Sequence, residues 1–308
     1  MQPTLSIIIP AYNESELIAT ASERIVAVAE KTGAPYELII VDDGSRDATW
    51  EQIRRVSEKN PLVKAIRFSR NFGKEQAVFA GLDHADGAAV VILDADLQHP
   101  PETIAEMYAI WREGQFDVVR AVKSSRGAEP RIYALLSRFF YRAMKSLSGL
   151  DLANASDFVL LDRKVVDALK TLPEHTPFLR GLVAWVGFRQ TSVTFSVGRR
   201  TAGKTKWRRR TLIRYAVSNF LSFSSLPLKL VNVFAASFLV FAAILGALSL
   251  YNYIKHDAVE GFTTVIIVLL LIGSGIMVGL GIIGEYIAKI HDESKRRPRY
   301  VAMSKIRK

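Results

Sequence analysis

The chain has 308 residues, 49% apolar and 23% charged, a composition that excludes a wholly disordered polypeptide. It contains no cysteine, which removes disulfides, thiolate nucleophiles, iron–sulfur clusters and cysteine zinc sites together. With 41 Lys and Arg against 30 Asp and Glu the formal net charge is +11, and whether that surplus signals nucleic acid depends on where it sits.

From the N-terminus, short apolar runs alternate with amphipathic stretches. Residues 5–9, 38–41, 63–68, 88–93 and 118–122 read as strands, and residues 16–31, 48–59, 74–85 and 103–113 as helices between them. Alternation at this spacing predicts an α/β fold with a mostly parallel, Rossmann-like sheet covered on both faces. Such sheets bind ligands at the carboxyl ends of their strands. Pro10, Tyr12, Asn13 and Glu14 follow the first strand, Asp42, Asp43 and Asp47 the second, and Asp94, Ala95, Asp96 and Gln98 the fourth. Any one cluster is ordinary turn chemistry, but three at strand ends converge on one cleft. In an extended segment side chains i and i+2 share a side, so Asp94 and Asp96 can face one hard cation. Mg²⁺, which keeps waters and takes one or two carboxylates with substrate phosphate oxygens, suits that pair better than a closed structural site does. No GxxxxGK[ST] phosphate loop occurs.

Residues 131–148 are apolar at Ile132, Leu135, Leu136, Phe139, Phe140 and Leu147 and basic at Arg131, Arg138, Arg142 and Lys145. That pattern fits a helix lying in a lipid headgroup layer, with an ordinary surface helix as the alternative, and residues 210–226 repeat the theme. Residues 230–254 and 262–284 contain no charged side chain. Each run exceeds the roughly 20 helical residues that a bilayer core requires. Residues 199–229 carry a net +9 and residues 289–308 a net +6, while residues 1–198 sum to −2. The surplus therefore flanks the two apolar runs, and the positive-inside rule places both termini in the cytoplasm. No signal peptide is expected at the start of the chain, where a polar tripeptide after Met1 leads into the first strand pattern. The charge reads as a topology signal, and nucleic acid is not needed to explain it. The GxGxxG match at residues 279–284 lies inside the second run with no strand before it, so it is spurious. Gly275 and Gly279 form a GxxxG pair instead, a helix-packing pattern that hints at oligomerisation.

The ordered motifs PAYNE, VDDGS, NFGKE, DADLQHPPE and DFVLLDRKVVDAL resemble family 2 glycosyltransferases of the GT-A fold. More narrowly, they are similar to polyprenyl-phosphate glycosyltransferases, the dolichyl-phosphate mannose synthases and bactoprenol glucosyltransferases. The likeness runs on through FLRG, WVGFRQT, RTAGKTKW, SFSSLPL and both apolar runs, so it covers nearly the whole chain. It implies a catalytic GT-A domain over residues 1–209, a juxtamembrane amphipathic helix over 210–228, two transmembrane helices over 229–290 and a basic cytoplasmic tail over 291–308, in a bacterial plasma membrane. It implies nucleotide-sugar contacts at Pro10, Tyr12, Asn13, Glu14, Asp42, Asp43, Lys74, Asp94 and Ala95. Asp94, Asp96 and Gln98 would hold Mg²⁺ or Mn²⁺. Arg131, Arg138, Arg200 and Lys206 would contact phosphate or acceptor, and Asp157 would be the catalytic carboxylate beside the acceptor. It further implies a homo-oligomer, a tetramer in close relatives. Two positions depart from the pattern: Val159 stands where relatives often carry Arg, and Thr205 where Ser is usual.

The implied reaction is an inverting transfer of a hexose to undecaprenyl phosphate. UDP-glucose is the expected donor from the likeness of NFGKE, DADLQHPPE and WVGFRQT, with GDP-mannose or UDP-aminoarabinose as alternatives. A departing nucleoside diphosphate needs a metal and cationic side chains. A lipid monophosphate already carries about −1.5 to −2 charges, so Asp157 is open to three roles: base, positioning group, or cap of the segment ahead of Val159. A processive polysaccharide synthase would need a QxxRW motif, which the chain lacks. A non-catalytic membrane adaptor would explain the charge but not three acidic strand-end clusters.

Overall fold

The computed structural model describes residues 4–123, 156–175, 177–195, 226–254 and 261–306. The expected interfacial helix at 131–148, nearly all of 210–226, and Arg131, Arg138, Arg200 and Lys206 lie outside the described residues. The chain forms two compact units, residues 1–208 with 297–308, and residues 209–296.

The first unit is built on one eight-stranded sheet. Its strands are β1 (Leu5–Ala11), β2 (Tyr36–Asp42), β3 (Val63–Phe68), β4 (Ala89–Ile92), β5 (Val118–Lys123), β6 (Val159–Asp162), β7 (Gln190–Phe195) and β8 (Ala302–Ile306), in the order β7-β5-β6-β4-β1-β2-β3-β8. Helices α1 (Ile18–Lys31), α2 (Thr49–Lys59), α3 (Lys74–His84) and α4 (Thr103–Arg112) connect the first five strands. The nine elements expected up to residue 123 all form, each boundary within two residues of the sequence reading. β1, β2 and β4 are buried at every position because helices cover both faces, which is why they read as continuous apolar runs rather than alternating ones. α1 shows the complementary pattern, burying Ile18, Ala21, Ile25, Val28 and Ala29 at spacings of three and four.

Direction decides where the site falls. β1 pairs in parallel with β2 and β4, and β2 with β3, whereas β6 runs antiparallel to β4 and β5. The carboxyl ends of β1, β2 and β4 therefore share one edge of the sheet with the amino end of β6. The chain winds outward from β1 through β2 to β3 and then returns to β4 on the other side of β1, and a ligand crevice opens at such a reversal. After β6 the chain continues through α5 (Arg163–Thr171) and α6 (Leu179–Trp185) to β7.

The C-terminal segment differs from a plain basic tail. β8 adds antiparallel to β3, pairing Ala65 with Ile306 and Ile66 with Lys305. Tyr300 stacks on Phe68 at 4.9 Å, and the Arg299 guanidinium lies 4.8 Å over Phe79 while donating to the carbonyls of Glu174 and Leu172. The sequence AMSKI hides this strand because an edge position half-buries alternate residues and asks for no strong apolar signal.

The second unit holds α7 (Leu226–Ile254) and α8 (Phe262–Ser294), each with a window of mean hydropathy above 2 that is long and apolar enough to cross a membrane. α8 runs ten residues past the apolar stretch that ends at Gly284. Gly275 and Gly279 face α7: a Cβ on Gly275 would lie 2.9 Å from the Phe238 ring, and one on Gly279 would lie 3.3 Å from Val231. The glycine pair thus packs the two helices of one chain together.

Candidate functional site

The floor of the crevice is made by stitching the loop after β1 to the loop after β2. Asn13 N–H donates to Ser45 Oγ and Glu14 N–H to Thr49 Oγ1, each at 2.9 Å, while Asn13 Oδ1 accepts from the Arg46 N–H at 2.9 Å. Asn13 takes a left-handed φ of 52°, which Asn tolerates because its short amide bonds to nearby backbone. Asp42 ends β2 fully buried, its carboxylate accepting from the Ser45 N–H at 2.9 Å and facing Arg67 Nε at 3.4 Å. Burial pushes its pKa up against those two contacts. Gly44 turns the β2 loop at φ 65°, where an added Cβ would sit 2.4 Å from the Arg70 carbonyl carbon. Only glycine fits.

Asp43 turns away from the loop floor. Its carboxylate accepts from the N–H groups of Phe72 (2.7 Å) and Gly73 (3.0 Å) and from Asn71 Nδ2 (3.0 Å). It holds the NFG segment that delivers Lys74, the loop ahead of α3. Burial raises its pKa to about 6, partly offset by the two backbone donors.

Beyond β4, ligand atoms of Asp94, Asp96 and His99 all lie within 4.8 Å of one another. Leu97 between them has a left-handed φ of 55°, a conformation a bulky side chain rarely accepts and one often found at functional sites. Gln98 donates its backbone N–H to Asp96 Oδ1 at 3.0 Å. His99 stands between Phe158 and Phe195, ring centroids 5.4 and 5.5 Å away. Two carboxylates and an imidazole converging on one point fit a divalent cation of Mn²⁺ or Mg²⁺ type, with the imidazole favouring the former.

One ammonium then ties this group to the next strand. Lys74 Nζ lies 2.7 Å from Asp94 Oδ1, 2.8 Å from Asp94 Oδ2 and 2.8 Å from Asp157 Oδ2. The register explains the meeting: Ile92 pairs with Val159 across β4 and β6, and two residues further on the same register sets Asp94 opposite Asp157. Like charges facing across an antiparallel pair repel, and Lys74 neutralises them. Arg180 in α6 grips Asp157 from the other side, Nε at 2.5 Å from Oδ1 and one Nη at 2.8 Å from Oδ2. Burial alone would raise the Asp157 pKa, but Lys74 and Arg180 outweigh it and hold the carboxyl well below the usual range. Burial likewise works against the charged Lys74, yet Asp94 and Asp157 raise its pKa above the ordinary lysine value.

The structure therefore brings Lys74, Asp94, Asp96 and Asp157 into one cluster, with the loop carrying Pro10, Tyr12, Asn13 and Glu14 at the neighbouring strand end, and Ala95 buried. His99 and Arg180 lie in the motifs DADLQHPPE and FLRG, but the sequence alone gives neither a partner. The signal was present without a partner to give it meaning.

The profile of Glycosyl transferase family 2 matches residues 6–170. An "Uncharacterized glycosyltransferase YkcC" of Bacillus subtilis is 40% identical, over 96% of this chain and 92% of its own length. A "Prophage bactoprenol glucosyl transferase homolog" of Escherichia coli is 35% identical, and a "Bactoprenol glucosyl transferase" of Shigella phage SfV 34%, each over 96% of this chain and 97% of the relative. Among solved structures, glucosyl-3-phosphoglycerate synthase of Mycobacterium tuberculosis, in complex with Mn²⁺ and UDP-glucose, superimposes with a TM-score of 0.51. It is 20% identical and covers 72% of this chain and 79% of its own, a likeness of fold.

Proposed function

The chain belongs to glycosyltransferase family 2, and from that membership we propose that it transfers glucose from UDP-glucose, with inversion, to the phosphate of undecaprenyl phosphate at the cytoplasmic face of a bacterial plasma membrane. The observation that carries this reading is the cluster in which a candidate cation site, Asp94, Asp96 and His99, meets a third carboxylate, Asp157, through Lys74. A donor half-site and an acceptor half-site in contact are what direct transfer requires. The bactoprenol glucosyl transferases at 34–35% identity support the sugar and the lipid.

Asn13 and Asp42, on the stitched loops, would seat the base and ribose. The cation at Asp94, Asp96 and His99 would neutralise the diphosphate as it leaves. Arg200 and Lys206, on a segment outside the described residues, would close over the same phosphates, and Arg131 and Arg138 would meet the acceptor. Asp157 is ionised and held by two cations, and its pKa lies well below that of a useful base at neutral pH. A phosphomonoester acceptor is itself largely deprotonated there, its second pKa being about 6. Asp157 therefore orients the acceptor side rather than removing a proton.

The membrane assignment draws on the two long apolar helices and the basic blocks beside them. Incubating the purified protein with Mn²⁺, a short isoprenyl phosphate and a panel of nucleotide sugars tests the reading. UDP release is expected with UDP-glucose above all others; GDP-mannose as the preferred donor would refute the sugar assignment.

A further inference from the structure

Arg180 enters the chemistry derived so far only as a partner of Asp157, and its contact there is bidentate. Its fork meets Asp157 through two nitrogens, and a bidentate guanidinium–carboxylate pair fixes both partners in plane. Its own backbone is held as well. α3 reaches across with Glu75 Oε2 accepting from the Leu179 N–H at 3.0 Å, and Gln76 Nε2 donates to the His175 carbonyl at 2.8 Å. Three successive residues of the first turn of α3 thus serve one purpose, Lys74 on Asp157 and Glu75 and Gln76 on the segment that carries Arg180.

Charge accounting shows what this cluster attracts. Lys74, Arg180, Asp94 and Asp157 sum to zero. A divalent cation at Asp94 and Asp96 takes over the charge of Asp94, and Lys74, Asp157 and Arg180 are then left at +1. The three side chains keep 37, 20 and 32% of their surfaces exposed, so the cluster faces the crevice rather than the core. With that cation in place, Lys74 and Arg180, spaced by the Asp157 carboxylate, would favour an anion.

We propose that Arg180, with Lys74 across Asp157, binds the phosphate of the acceptor, the ligand class being a phosphomonoester. This rests on the transfer to a lipid phosphate inferred above. Arg180 is the residue to test because its fork pairs with Asp157, whereas Lys74 bridges Asp157 and Asp94 and so joins both halves of the cluster.

The test uses the full chain in detergent, titrated calorimetrically with two probes, a ten-carbon isoprenyl monophosphate and UDP with Mn²⁺. Arg180→Gln is expected to weaken the isoprenyl phosphate by about tenfold or more, the worth of one charge-assisted hydrogen-bond pair, and to leave UDP within about twofold. Arg180→Lys should recover part of the loss, since it restores the charge but not the fork. Inorganic phosphate should compete with the isoprenyl phosphate in the wild type, which marks the phosphate rather than the chain as the recognised group. Unchanged isoprenyl-phosphate affinity in Arg180→Gln overturns the assignment, as does an equal loss of both probes in Arg180→Gln and Arg180→Lys. A wild type that binds UDP but no isoprenyl phosphate overturns the acceptor reading itself, and the Arg180 assignment with it.

Discussion

Lys74 holds two carboxylates that the sheet register sets face to face, and its removal has a calculable consequence. Breaking a buried ion pair by deleting one partner costs about 3–5 kcal/mol. Lys74 is 37% exposed here, and Asp94 and Asp157 are 26 and 20% exposed, so solvent screening reduces the cost to about 1–2 kcal/mol. For a unit of this size Lys74→Met should then lower the unfolding midpoint by about 2–8 °C. Mn²⁺ should reverse much of that. In the wild type the cation and Lys74 seek the same Asp94 oxygens, whereas in the variant the cation meets no competitor and relieves the same repulsion. Thermal unfolding followed by tryptophan fluorescence, with and without saturating Mn²⁺, reads both effects. The reasoning is refuted if Lys74→Met melts at the wild-type temperature, or if Mn²⁺ stabilises the wild type by more than the variant.

Three further outcomes follow from the same geometry. Gly44→Ala must push a methyl into the Arg70 backbone at a left-handed φ, and should cost at least about 2 kcal/mol and raise the nucleotide-sugar KM; an unchanged melting temperature would contradict it. Asp43 has a folded pKa of about 6 against 3.8, so the folded state holds the proton more tightly and stability from this group falls as pH rises from about 4 to 6, by about 3 kcal/mol. Asp43→Asn lacks that titration, so the stability of the wild type relative to the variant should be greater at pH 4 than at pH 7; a difference independent of pH excludes the argument. Ending the chain after Arg297 removes β8, the Tyr300–Phe68 stack and the Arg299 contacts, uncovers the β3 edge, and should cost about 2–4 kcal/mol and promote aggregation by light scattering. A truncated protein that melts within a degree of the full chain would show that β8 is dispensable.

The elements up to residue 123 were legible because their signals are local: buried parallel strands read as apolar runs, and α1 buries residues at helical spacing. The acidic strand ends were legible for the same reason, since a carboxylate after an apolar run marks its own position. What a carboxylate touches is not local. Asp42 and Asp43 are adjacent and look equivalent, yet one closes on Ser45 and Arg67 and the other on a loop about 30 residues away. The meeting of Asp94 with Asp157 needs the β4–β6 register, and the grip of Arg180 on Asp157 needs α6 to lie at that end of the sheet. The proximity of His99 to Asp94 and Asp96 depends on the left-handed turn at Leu97, which leaves no local signal in the sequence. The glycine pair in α8 marks a packing face already in the sequence, but its partner, α7 of the same chain, is a fact of tertiary structure.

The central claim is that the Asp94–Asp96–His99 group serves a metal-dependent sugar transfer. Its most direct test measures UDP release from UDP-glucose in the presence of Mn²⁺ and an isoprenyl phosphate, for the wild type and for Asp96→Ala. The wild type should release UDP in step with an inverted glucosyl-phosphate lipid, and Asp96→Ala should lose at least about a hundredfold of that rate while sedimenting with lipid vesicles as the wild type does. A wild type that turns over no nucleotide sugar, or an Asp96→Ala protein that keeps its rate, would contradict the claim.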